Sequence, residues 1–246
     1  PDNRRAAYRM LISTEKRLSK NPQHAEVYKL QIEDMVNREV ARKLTKEEID
    51  NYKRPIHYIS NHEVLKPDSK STPVRTVFNS SAIYIGHILN DYWAKGPDLL
   101  NSLIGVLIRF RENKIAIIGD VKKMYHTIKT KPITQHTHRF LWRDMDHSRE
   151  PDTYIIQRVS FGDKPSGTIA TVAMRKTAEM GKDLYPQATS VIQKNTYMDD
   201  IIESTNDLPS ATQLASDIEK LLINGGFKLK AWTFSGDPSN NGKPTM

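Results

Sequence analysis

The sequence predicts an α+β fold, and three observations carry that prediction. Residues His24 to Leu44 place Tyr28, Ile32, Val36, Val40 and Leu44 at every fourth position, with Met35 thickening the stripe, as in a helix packed by one face. Ile56–Ile59, Val64–Lys66 and Val74–Phe78 are short β-prone runs around a polar turn, Pro67 to Pro73. Two further apolar β-prone pieces carry acids: Ile115 to Ile118 leads into Gly119-Asp120, and Thr196 to Ile202 holds Asp199-Asp200 at its middle.

The remaining elements follow in order. Residues 4–20 are basic and helical, with Tyr8, Leu11 and Leu18 as apolar anchors, and Asn21-Pro22 breaks the pattern. Thr45 with Glu48 three residues on is a capping box for a short helix to Tyr52. The hairpin over 55–80 is basic through Lys66, Lys70 and Arg75. After a Gly96-Pro97-Asp98 turn, Leu99 to Arg111 reads as a helix apolar on most sides, expected to be buried, with Arg109 and Arg111 at its carboxyl end. Thr137–Trp142 and Tyr154–Val159 read as paired strands. The segment between them holds Asp144, Asp146, His147 and Glu150. Its turn-rich character and its Arg143 and Arg149 favour charge balance over a metal site. A helix follows over about Thr168–Gly181, then the β-prone Val191-Ile192. Asp207 and Pro209 start a last helix with Leu214, Ile218, Leu221 and Leu222 as its buried stripe, and Gly225-Gly226 ends it.

The 246 residues suffice for one large or two small domains with a sizeable core. Lys and Arg number 37 against 29 Asp and Glu, a net charge of +8 that suits a polyanionic partner without specifying one. There is no cysteine, which excludes disulfides, thiolate zinc sites and thiol catalysis. No signal peptide and no membrane-spanning apolar run is found. Both ends read as cuts from a longer polyprotein.

The chemistry centres on Tyr197-Met198-Asp199-Asp200, read as a hairpin with two acids at its turn. Adjacent carboxylates repel, and both stay ionised at low cost only beside a cation. Mg²⁺ suits such a site, because it binds one or two carboxylates together with substrate phosphates. An exposed polar turn explains the same four residues as well, since Asp is common in turns. Asp120 is the third carboxylate that decides for the cation: two-metal phosphoryl transfer gathers acids from different strands around ions about 4 Å apart.

In chain order these motifs resemble a reverse transcriptase, and within that family the Bel/Pao class of LTR retrotransposons. His62-Glu63-Val64-Leu65-Lys66-Pro67 and Arg75-Thr76-Val77-Phe78-Asn79-Ser80-Ser81 resemble the fingers hairpin, with Asn79 where the class usually has Asp. Ile118 to Ile128 resembles motif A, with Lys123 where retroviral enzymes carry a second Asp. Val159 to Gly167 resembles motif B, with Pro165-Ser166-Gly167 in place of Ser-Ser-Pro. Gly225-Gly226-Phe227-Lys228-Leu229 followed by Trp232 is also of this class. The resemblance covers about residues 55–236. It implies a right-hand polymerase with fingers and palm, the palm a ferredoxin-like split βαβ antiparallel sheet backed by helices. The division it implies is an N-terminal helical segment 1–54, fingers 55–112 and 132–160, and palm 113–131 and 161–246, with the thumb absent.

What the resemblance implies for the site is specific. Asp120, Asp199 and Asp200 would be catalytic and would ligate two Mg²⁺ ions (Mn²⁺ being the alternative), with the Val121 carbonyl as a further ligand. Lys66, Arg75, Tyr125, Phe161 and Gly162 would bind the nucleotide. Tyr125 would be the steric gate against a ribose 2′-hydroxyl, its other reading being a core aromatic. Tyr197, Met198 and Lys164 would lie along primer and template. Lys230 would approach the pyrophosphate, unless it is a solvated strand lysine. The implied partners are an RNA or DNA template with primer and dNTPs, and no membrane. Protease, RNase H and integrase are expected elsewhere in the polyprotein, and a cytoplasmic virus-like particle is the expected location. A truncated, non-catalytic nucleic-acid-binding remnant is the alternative. An RNA-directed RNA polymerase is disfavoured by Tyr125 and by Tyr-x-Asp-Asp.

Overall fold

Side-chain caps set where the first helices begin. In the computed structural model, which describes residues 2–66 and 74–236, α1 spans Arg4–Leu18 and α2 spans Pro22–Asn37. Asn21 caps α2 by accepting from the amides of Gln23 and His24, and Pro22 stands at the first helical position, where it costs no hydrogen bond. The apolar stripe runs on to Leu44, but the helix does not. Glu39 turns the chain at φ 55°, and Ala41–Lys43 forms strand β1. Val40 and Leu44 are buried all the same, so a strand meets the periodicity that suggested two more helical turns. The short helix α3, Lys46–Asn51, carries the expected capping box: Glu48 N–H donates to Thr45 Oγ1 at 3.1 Å and Thr45 N–H to Glu48 Oε2 at 2.9 Å.

Strands β2 (Ser60–Leu65) and β3 (Val74–Asn79) pair antiparallel, with Leu65 opposite Val74. The turn between them, including Lys70, lies outside the described residues, as does the stretch after Gly236. Ile56–Ile59 is not a strand; Tyr58 makes one isolated bridge to Arg139. The small hairpin β4 (Ile83–Tyr84) and β5 (His87–Ile88) leads into a 3-10 turn over Leu89–Tyr92. Then come α4 (Leu103–Arg109), β6 (Ile115–Lys122), α5 (Met124–Thr127) and α6 (Pro132–His136). The expected strand pair follows as β7 (Arg139–Trp142) and β8 (Asp152–Ile156), and the expected long helix as α7 (Ser166–Met180). The end of the chain holds α8 (Pro186–Lys194), β9 (Thr196–Tyr197), β10 (Asp200–Thr205), α9 (Leu208–Ile223), β11 (Lys228–Leu229) and β12 (Thr233–Phe234).

Val191 and Ile192 are therefore helical rather than extended. Pro186 starts α8, and Ala188, Val191 and Ile192 bury one face of it; the helix packs on α9 and β10. The helix after Gly96-Pro97-Asp98 is also shorter than expected and not enclosed. Ser102 caps α4 through Gly105 N–H, only Val106 of its residues is buried, and Ile104 and Ile108 are 72% and 61% exposed. Among the described residues no helix is long and apolar enough to cross a membrane.

The chain divides into two compact units. The first comprises Pro1–Ala94 and Ile128–Ser166. Its three-stranded sheet runs β1-β8-β7. Tyr28, Ile32, Phe140, Leu141, Trp142 and Ile156 form the centre of its core, each large side chain contributing about 1.5–3 kcal/mol on burial. Glu15 of α1 and Arg143 beyond β7 meet inside this unit, with Arg143 donating to both carboxylate oxygens at 2.9 and 2.6 Å. The second unit comprises Lys95–Thr127 and the chain from Gly167. Its sheet runs β11-β6-β10-β9, every pair antiparallel, with β12 also on β6. In order along the chain these are its fourth, first, third and second strands. α7 and α8 connect the first to the second, and α9 connects the third to the fourth. That is the split βαβ, ferredoxin-like arrangement.

Candidate active site

Strand β6 is the sheet's central strand, and its alternation decides where the acid points. Ile117, Gly119 and Val121 are buried on one face, and Asp120 falls on the other. Gly119 is required by packing: a Cβ there would stand 2.4 Å from the Trp232 ring, whose indole N–H donates to Glu219 of α9 at 2.8 Å. The register of β10 sets Asp200 directly opposite Asp120 and Ile201 opposite Gly119. Tyr197 pairs with Asp200, so Met198 and Asp199 form a two-residue hairpin loop. Met198 takes φ 55°, a left-handed conformation rare for a side chain of this kind. The loop is tied to β6 by Val121 N–H donating to the Asp199 carbonyl at 2.8 Å.

Two like charges face each other across adjacent strands, a destabilising arrangement unless a cation joins them. Lys230, just past β11, supplies part of the answer. Its N–H donates to the Asp120 carbonyl at 2.9 Å and its ammonium to Asp120 Oδ2 at 2.7 Å. Asp120 Oδ1 is buried with no hydrogen-bond partner. The Asp200 carboxyl is pushed above the usual carboxylate range by burial first, then by Asp199 and Asp120, with Lys230 opposing. Tyr125 lies in α5, five residues beyond Asp120, after a turn at Lys123 with φ 51°. Burial and the nearby Asp199 push its hydroxyl pKa up.

The donor set suits a hard divalent cation: carboxylate oxygens from two strands, one of them buried and unpartnered. Among the described residues, however, no three His, Cys, Asp or Glu side chains are gathered closely enough to hold a metal as they stand. In the acidic stretch after β7, Arg149 is bridged to Asp144 and Asp146, and to Asp152 of β8, as expected of it, whereas Arg143 is spent on Glu15 instead.

The reverse transcriptase (RNA-dependent DNA polymerase) family model matches residues 77–232. The chain belongs to this family. Comparison with curated proteins returns no match. Among solved structures, the foamy viral protease-reverse transcriptase dRH in complex with double-stranded DNA is 18% identical, with a TM-score of 0.58 over 81% of this chain and 29% of that one. A Prototype Foamy Virus protease-reverse transcriptase CSH mutant is 17% identical, with a TM-score of 0.59 over 85% and 24%. The native Prototype Foamy Virus enzyme is 16% identical, with a TM-score of 0.55 over 80% and 22%. The likeness is one of fold, and the chain spans less than a third of those chains.

In this reverse transcriptase domain the second unit brings together Asp120, Val121, Tyr125, Tyr197, Met198, Asp199 and Asp200. Lys230 lies in the same unit, and Lys66, Arg75, Phe161, Gly162 and Lys164 belong to the first. Lys66 and Arg75 are exposed at the described end of the β2–β3 hairpin, Lys66 one residue past Leu65 and Arg75 opposite Val64. Phe161, Gly162 and Lys164 are exposed on the turn before α7, where Gly162 takes φ +91°. Two features escaped the sequence reading. The pairing of Lys230 with Asp120 is a contact across 110 residues. A set of polar side chains around the 161–164 turn, among them Asn90, Ser80 and His138, also carries no local signature.

Proposed function

We propose that the chain is the fingers and palm of an RNA-directed DNA polymerase that also copies DNA. Fingers are residues 55–112 and 132–160, preceded by the helical segment 1–54, and palm is 113–131 and 161–246, within a Bel/Pao-class retroelement polyprotein. The observation that carries this is the register of Asp200 opposite Asp120, beside the Asp199 turn and with one buried Asp120 oxygen unpartnered. Asp120, Asp199, Asp200 and the Val121 carbonyl would hold two Mg²⁺ ions, which when bound activate the primer 3′-hydroxyl and neutralise the triphosphate. Lys230, which pairs with Asp120, would be the cation that approaches the pyrophosphate. Lys66 and Arg75 bring charge-assisted hydrogen bonds to the triphosphate, Arg able to engage two oxygens at once. Tyr125 fills the space of a 2′-hydroxyl, so dNTPs are selected over NTPs. Tyr197, Met198 and Lys164 lie along primer and template, and the basic chain binds them in a salt-dependent way.

The test is primer extension on an RNA template with Mg²⁺, using the chain beside Asp199→Asn and Tyr125→Ala. The wild type extends with dNTPs, Asp199→Asn does not, and Tyr125→Ala gains NTP incorporation. Extension by Asp199→Asn at the wild-type rate contradicts the assignment, and no extension by the wild type sinks polymerase activity for this chain.

A further inference from the structure

The turn from Phe161 to Lys164 has little core of its own. Phe161 is 53% exposed, and Gly162 and Lys164 are exposed as well. Its order comes instead from polar side chains that three distant segments of the first unit contribute. Asn90, in the 3-10 turn, holds it with both ends of one amide: Nδ2 donates to the Gly162 carbonyl at 2.9 Å and Oδ1 accepts Lys164 N–H at 2.9 Å. Asp163, between those two contacts, points the other way. Ser80 Oγ donates to its Oδ1 at 2.5 Å, and His138 Nε2 lies 2.8 Å from its Oδ2. His138 is 2% exposed, and its Nδ1 is 2.8 Å from the Thr134 carbonyl. The ring closes through Ser80, whose carbonyl accepts Asn90 N–H at 3.3 Å.

Gly162 shows which side of this turn is left open. Its φ of +91° strains any side chain, yet a Cβ there would meet only the Phe78 carbonyl, at an ordinary 3.8 Å. The glycine is therefore demanded by backbone conformation and not by crowding from its own chain. Pinned from behind, with Phe161, Gly162 and Lys164 exposed, the turn is pre-organised to offer backbone to something outside the protein, and a pre-ordered loop gives up less entropy on binding.

We propose that Asn90 is a positioning residue for nucleotide binding, fixing the Phe161-Gly162 turn so that its backbone packs against the incoming nucleotide. Its assignment to the nucleotide rests on the polymerase reading above; the clamp itself does not. Ser80 holds the same turn from behind through its hydrogen bond to Asp163, and His138 adds an ion pair there when its ring is protonated.

Two measurements on Asn90→Ala and Asn90→Asp test this in the intact chain. The first is amide hydrogen exchange at Lys164. Alanine removes the acceptor and speeds exchange at least tenfold. Aspartate keeps the acceptor and leaves exchange near wild type. The second is steady-state dNTP incorporation. Both variants lose the donor to Gly162, so KM for dNTP rises about tenfold while kcat stays within about threefold, the pattern of lost ground-state binding. A merely structural role would lower the active fraction, and so kcat, with KM unmoved. Unchanged Lys164 exchange in Asn90→Ala overturns the clamp whatever the activity. Faster exchange with an unchanged KM overturns the positioning role. An inactive wild type sinks the polymerase reading and with it the nucleotide-facing role, while exchange still decides the clamp.

Discussion

Glu15 in the first unit and Asp120 in the second are both carboxylates beside a cation. Glu15 is 0% exposed and takes two hydrogen bonds from Arg143, itself nearly buried. Asp120 has one oxygen on Lys230, whose side chain is 58% exposed, and its other oxygen buried without a partner. A planar guanidinium satisfies a carboxylate from both sides and holds it in place. A lysine on a flexible stem satisfies one oxygen and can leave. The first pair is built to stay closed. The second is left half-satisfied, and it faces a further like charge, Asp200, across the sheet. Completeness of the hydrogen bonding, more than the presence of charge, separates the closed carboxylate from the one proposed to take a cation.

The largest expected effect breaks the closed pair. Arg143→Ala leaves Glu15 buried with only His147 Nδ1, at 3.9 Å, beside it, a loss of up to about 3–5 kcal/mol on removing one partner of a buried pair, read from urea unfolding. Asp120→Asn removes a repulsion instead, and its unfolding free energy stays within about 1 kcal/mol of wild type or rises. Equal destabilisation by the two substitutions would erase the distinction.

A smaller effect has opposite signs in the two units. Arg42 first, then the Thr45 backbone amide, holds the Glu48 carboxyl down at about 2. A depressed folded value contributes stability above the ordinary carboxylate range and loses it as pH falls toward that value. Asp200 is raised by burial and by its two acidic neighbours. Its contribution is present below the ordinary range and is lost as pH rises through the elevated folded value. Without divalent metal, Asp200→Asn is therefore more stable than wild type near neutrality, and Glu48→Gln less stable. Both differences shrink on acidification. Urea midpoints between about pH 3 and pH 7 check this, and differences of the same sign would contradict it.

Where local chemistry decides an element, the sequence was enough. The Thr45–Glu48 capping box and the α9 stripe of Leu214, Ile218, Leu221 and Leu222 stand where residue type and spacing place them, and the expected hairpin forms too, but with Met198-Asp199 as its loop and Asp200 already in β10 instead of at the turn. Where tertiary pairing decides, it was not. The four-residue stripe to Leu44 breaks at Glu39 because Ala41–Lys43 pairs with β8. The β-branched Val191 and Ile192 become helical because α8 offers them a buried face on α9 and β10. The apolar stretch around α4 does not become core, because only its Val106 side is covered. That Asp120 and Asp200 face each other across β6 and β10 was suggested by an acid late in one β-prone run and a pair of acids in a second, since two such strands can pair. Lys230 on Asp120, and Asn90 on the Gly162 turn, were not, since each is joined to its partner by 70 residues or more, 110 and 72 respectively.

The central claim, that Asp120, Asp199 and Asp200 form an unfinished cation site with Lys230 as its stand-in, is tested most directly by binding, without reference to turnover. Titration with Mn²⁺, followed by electron paramagnetic resonance, would compare wild type with Asp120→Asn and Lys230→Met. The account predicts binding to wild type, at least tenfold weaker binding to Asp120→Asn, and tighter binding to Lys230→Met, which removes the competing ammonium. Equal binding by wild type and Asp120→Asn would contradict it.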